Sequence, residues 1–201
     1  MSNHRFLSGT LLSCLLVFAL PAQSQGTGTF TNITAPAAGT GSLQGTAVVG
    51  IDTAGDVAGT YIDAAGTSHG LLYSAAGTLT VIDVTGAITG KNMGTFATVI
   101  NTAGEIAGYY TAVDQNYGFV RAVDGTISTF AFATGGWQGE GTEIFGINSG
   151  GTVIGEDQFR GGGYVRLSNG TITALSNNGY GGTPPCYQRD GNDYGSLLRR
   201  Q

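Results

Sequence analysis

The side chains suited to chemistry are few: His69, a scatter of aspartates and glutamates, and one tryptophan. Metal binding or acid–base work at His69 would need partners, and no other histidine follows residue 24. It is therefore expected to be a strand residue that packs or bonds locally. Asp52, Asp56 and Asp63 lie close together. Calcium, however, takes oxygens converging from one loop in an Asp-x-Asp-x-Asp-Gly spacing. These three fall on different turns, so turn capping is expected of them, with no metal and no cofactor.

Trp137 stands in "GGWQGEGTE", flanked by Gln138, Glu140 and Glu143. A loop tryptophan with polar neighbours can stack on a sugar ring, which makes these four the candidate ligand-binding residues. A tryptophan closing a gap between packed sheets is the other reading of Trp137. Glycoside hydrolysis uses two carboxylates about 5 to 10 Å apart. Glu140, Glu143 and Glu156 are the ones such an enzyme would use. No phosphate-binding loop with lysine occurs in the sequence, and no catalytic residue is assigned. A non-catalytic chain is expected.

Whatever these residues do, a repeat positions them. "VGIDTAGDVAGTYIDAAG", "VINTAGEIAGYYTAVD" and "FGINSGGTVIGEDQ" align. Ile51, Ile100 and Ile147 share one position, with spacings of 100−51=49 and 147−100=47. Gly77-Thr78, Gly125-Thr126 and Gly170-Thr171 share another, and Gly28-Thr29 matches them one period earlier. A period near 48 belongs to propellers and solenoids. Each unit divides into four short strands, in the middle repeat "FATVI", "EIAGYY", "GFVRAV" and "TISTFAF".

The turns between them have a mechanism. Asp52, Asn101 and Asn148 open a type I turn with a short polar side chain, and Gly55, Gly104 and Gly151 close it in the left-handed conformation. Asp124-Gly125 and Asn169-Gly170 read as tight-hairpin dipeptides. Four antiparallel strands per repeat describe a propeller blade. The expected fold is an all-β, incomplete β-propeller of about three four-stranded blades with an extra N-terminal strand; a β-solenoid is the alternative. The repeat domain spans 26–175, with repeats at about 46–93, 94–140 and 141–175 and a lone strand at 28–33.

Composition agrees with this and sets the compartment. The chain has 201 residues, 36 of them glycine, and a net charge of −5, which argues against a nucleic-acid partner. Residues 1–24 read as a signal peptide: "MSNHRF" is a short basic region, "LLSCLLVFAL" an apolar one, and cleavage falls after Ala22 or Ser24. The Leu11-Leu12-Ser13-Cys14 lipobox would leave the apolar region on the mature chain, so ordinary cleavage is expected. Export to the periplasm or the medium follows, with no stable membrane span. Cleavage leaves Cys186 as the one cysteine, and no internal disulfide.

The pattern Ile-Asn-x-x-Gly-x-Ile-x-Gly-x-Tyr, then a His-Gly-Leu or Tyr-Gly-Phe strand, then Gly-Thr-Ile, resembles the bacterial extracellular repeats of the HAF family. The family's His-Ala-Phe tripeptide stands here as His69-Gly70-Leu71, Tyr117-Gly118-Phe119 and Gly162-Gly163-Tyr164. The resemblance covers about residues 28–175. It implies an exported, propeller-like protein and carries no established activity. The expected function is a binding or scaffold module for glycan or protein, with a propeller-type glycan hydrolase as alternative. Self-association through exposed edge strands is expected.

The end of the sequence departs from the repeat. "GGT" at 181–183 lies where a new first strand would start, and Gly94 and Gly141 each precede their isoleucine by six. Codons allowed for "PCYQRDGNDYGSLLRRQ", read one nucleotide later, permit "VINATGTITGHYYAD". Residues 176–201 are thus read as the start of a further repeat, out of frame from about residue 184, in a truncated product of a longer propeller gene.

Overall fold

Runs rich in valine, isoleucine, threonine and tyrosine, cut by glycine-closed turns, favour extended chain, because branched and aromatic side chains fit a pleated surface. A computed structural model describes residues 28, 30–132, 141–157 and 162–175. Twelve strands form among them: β1 (Gly45–Ile51), β2 (Val57–Ile62), β3 (Ser68–Tyr73), β4 (Leu79–Ile82), β5 (Thr95–Ile100), β6 (Ile106–Thr111), β7 (Asn116–Arg121), β8 (Ile127–Phe130), β9 (Thr142–Ile147), β10 (Val153–Asp157), β11 (Gly163–Arg166) and β12 (Ile172–Ala174). They make three separate antiparallel meanders, β1–β4, β5–β8 and β9–β12. The fold is all-β, with the arrangement of an incomplete propeller of three four-stranded blades rather than a solenoid.

Residues 1–32 form a unit distinct from 33–201. Within it Gly28 and Phe30–Asn32 adopt no regular structure, and Phe30 is fully exposed. Ile33 is likewise irregular, so the described part of 28–33 is not a strand. The leader at 1–24 and the tail at 176–201 lie outside the described residues.

Every blade carries a bulge at one place. The β1–β2 register shifts between Val48 and Gly50, the β5–β6 register between Ala97 and Val99, and the β9–β10 register shifts opposite Ile154 and Gly155. Val49, Thr98 and Phe145 are the extra residues, 98−49=49 and 145−98=47 apart. The bulge presses a carbonyl of the first strand onto the second: a Cβ on Gly59, Gly108 or Gly155 would strike the carbonyl oxygen of Ala47, Phe96 or Glu143. This is why the second strand of each repeat reads Ala-Gly or Ile-Gly at this point.

The turns are closed by glycines with positive φ: 91° at Gly55 and Gly104, 73° at Gly151, 91° at Gly125 and 90° at Gly170. Asp124 and Asn169 do not join them, so the two hairpins are not the usual two-residue turns, whose first residue has positive φ. They are four-residue turns, with Gly125 and Gly170 donating to the carbonyls of Ala122 and Leu167 at 2.9 Å.

Blade packs on blade face to face. Ala58 and Ile82 of the first blade meet Ala97, Ile100, Ile106 and Phe119 of the second. Ala107 and Val120 of the second meet Ile144, Val153 and Tyr164 of the third. Thr60 Oγ1 donates to the Ala97 carbonyl at 3.2 Å and accepts its N–H at 3.1 Å. Thr98 Oγ1 donates to the Ile144 carbonyl at 2.9 Å. The chain before each blade is pinned in one way: the N–H groups of Ala35, Val84 and Phe132 donate to the hydroxyls of Thr46, Thr95 and Thr142 at 2.9, 3.0 and 2.9 Å.

Candidate functional site

The first strands β1, β5 and β9 lie side by side, so the turns that follow them gather at one end. There, Ile51, Ile100-Asn101-Thr102 and Ile147-Asn148-Ser149 line a cavity of about 190 Å³. These are the same positions of three repeats. Repeat-to-repeat bonds tie the rim: Thr53 Oγ1 donates to the Thr102 carbonyl at 2.8 Å, and Asn101 Nδ2 to the Asn148 carbonyl at 2.9 Å.

Asn101 is buried and held by its own turn. Its Oδ1 accepts the N–H groups of Ala103 and Glu105 at 3.0 and 2.9 Å, and its Nδ2 reaches Glu105 Oε2 at 2.6 Å. The Asn148 and Asp52 side chains accept their turn N–H groups in the same manner. The amides therefore fix the shape of the mouth, while the exposed Thr102 and Ser149 and the three isoleucines give it its surface. Such a lining of hydroxyl and aliphatic groups suits a neutral, partly apolar ligand edge.

A second cluster lies at the opposite end of β9. Glu143 stands directly across from Glu156. The bulge decides this: Ile147 faces Val153 and Gly146 faces Ile154, and that register carried on unbroken would set Glu143 against Asp157. Opposed residues on antiparallel strands have Cβ atoms about 4.5–5.5 Å apart, so like charges here oppose each other. Burial, and then Glu156, push the Glu143 carboxyl above the ordinary glutamate range; burial, and then Asp157, do the same to Glu156. The Tyr109 phenol is pushed up to about 12 by burial and then by Glu143. Tyr164 is raised by burial, and its hydroxyl donates to the Glu143 carbonyl at 2.9 Å. Two partly buried carboxyls raised above the ordinary glutamate range have the elements of an acid–base pair.

Of the residues singled out by sequence, Trp137, Gln138 and Glu140 lie outside the described residues. Glu143 lies away from the cavity formed by the turns, so the structure does not bring it to Asn101 and Asn148. His69 stacks on Tyr61 with ring centroids 4.8 Å apart; its Nδ1 lies 2.8 Å from Asp83 Oδ1 and its Nε2 3.5 Å from Asp63 Oδ2. Asp63 is held low, first by the Thr67 N–H and, against the opposing effect of desolvation, by His69 as well. Asp52 and Asp63 each accept N–H groups of their own turn, and Asp56 Oδ1 accepts the Ala75 N–H at 2.8 Å. Among the described residues no three His, Cys, Asp or Glu side chains converge to hold a metal ion, and no helix is long and apolar enough to cross a membrane.

Sequence reasoning used Ile51, Ile100 and Ile147 to set the period and did not see that they share a cavity. Their recurrence at one repeat position was the available signal. The Glu143–Glu156 opposition had no signal in sequence spacing, since it depends on the bulge. No family model, curated protein or solved structure matches the chain.

Proposed function

We propose that this chain is an exported, non-catalytic binding or scaffold module that takes a glycan or protein partner at the mouth formed by its repeated turns. The observation that carries the reading is the meeting of equivalent residues from three repeats in one cavity. The resemblance to HAF repeats and the leader-like first 24 residues support export. The test is a neutral-glycan array followed by a surface-protein binding screen, comparing the native chain with Thr102→Trp, which blocks the mouth from an exposed position. Binding lost in Thr102→Trp and kept in Glu143→Gln supports the reading. Binding untouched by Thr102→Trp removes it.

The opposed Glu143 and Glu156 favour a second reading, glycan hydrolysis, with Glu140 as a further candidate. Release of reducing ends from a polysaccharide panel, lost in both Glu143→Gln and Glu156→Gln, would support it. Hydrolysis that survives both changes excludes the pair.

A further inference from the structure

Each blade has a leading face, which receives the blade before it, and a trailing face, which packs on the blade after it. Trailing meets leading twice within the chain, through Ala58 on Ala97 and its neighbours and through Ala107 on Ile144 and its neighbours. Among the described residues one face of each kind is left over. On the leading face of the first blade Val48 and Ile51 are 57% and 56% exposed, whereas the corresponding Ala97, Ile144 and Ile100 are 2%, 2% and 5% exposed. Ala35 and Ala38 cover only the outer part of that face, against Tyr61 and Leu71. On the trailing face of the third blade Ile154 holds the position of Ala58 and Ala107. Those two alanines are fully buried, but Ile154 is only partly buried.

We infer that two copies of the chain assemble head to tail, the trailing face at Ile154 of one copy seating on the leading face at Val48 and Ile51 of the other. The occupant follows from the chain itself: the two open faces are the mates of a contact it already makes twice. A trailing-on-leading contact is heterologous and must close into a ring or run on as a filament. Propeller rings hold about four to eight blades, and the three described blades of each chain meet that range as six, which is two copies. The two contacts of such a ring cover both open faces of each copy. This goes beyond the binding reading and stands or falls without it, since it does not involve the partner at the mouth.

Light scattering on the full-length chain should give twice the chain mass. Val48→Asp and Ile154→Asp should each give monomer at concentrations where the native chain is dimeric. Val48 is exposed and Ile154 partly exposed in a single chain, so the circular dichroism of each variant should match the native protein. An equimolar mixture of the two variants should recover the dimer mass, because one intact trailing face still finds one intact leading face. Hydrogen exchange in β1 of the native chain should slow as concentration rises, a readout that needs no variant. A native chain that stays monomeric, an Ile154→Asp chain that stays dimeric, a mixture that stays monomeric, or β1 exchange independent of concentration each overturns the inference.

Discussion

Gly108→Ala is the most direct test of why the repeat carries a glycine beside each bulge. An added Cβ would strike the Phe96 carbonyl oxygen, with Phe96 C at 2.9 Å and Ala97 Cα at 3.0 Å behind it. All three are backbone atoms of β5, so no flexible side chain can yield. Overpacking costs about 1–3 kcal/mol, and a backbone obstacle places this case in the upper half of that range. Alanine for glycine returns about 0.4–1 kcal/mol by restricting the unfolded chain. The net expectation is a loss of about 2 kcal/mol, which for a domain of this size lowers Tm by about 4–8 °C. Gly163→Ala is the matched control. Its Cβ would meet Leu175 Cδ1 at 3.4 Å, an ordinary contact, and its φ is not left-handed. That variant should match the native protein or exceed it by up to about 1 kcal/mol. Thermal and urea unfolding, followed by circular dichroism on the full chain, read both. Equal stability of Gly108→Ala and Gly163→Ala would refute the reasoning.

Other changes test the cluster, the mouth and the blade interface. Glu143 and Glu156 are raised in the folded state, so folding takes up protons and stability falls as pH rises from the ordinary glutamate range through their folded values. Glu143→Gln should therefore be more stable than the native chain at pH 7 and should flatten that part of the pH profile; an unchanged profile counts against the pair. Asn101→Ala removes four bonds from a buried side chain and should cost about 2–4 kcal/mol in urea unfolding. Thr60→Val keeps the shape but strips the Ala97 N–H and carbonyl of their hydroxyl partner across the first interface. A loss of about 1–2 kcal/mol is expected, and no loss would mean that water replaces the hydroxyl.

The sequence by itself determined the class of the fold and the three blades of its described residues. Both depend on features that act over a few residues and recur: alternating branched residues that favour extended chain, and a spacing of 49 and then 47 between Ile51, Ile100 and Ile147 that gives one meander per period. The segment at 28–33 shows where such reasoning stops. Gly28-Thr29 matches Gly77-Thr78 by type, yet a strand forms only where a neighbour offers its edge, and composition does not supply the neighbour. Two further matters were decided by tertiary structure alone. The bulge at Phe145 slips the register by one, and that slip sets Glu143 against Glu156 instead of Asp157. Blade-on-blade packing buries Ala97 and leaves Val48 open at the same repeat position. Burial is a property of what lies opposite a face, and in a repeat the faces are alike in sequence while their surroundings are not.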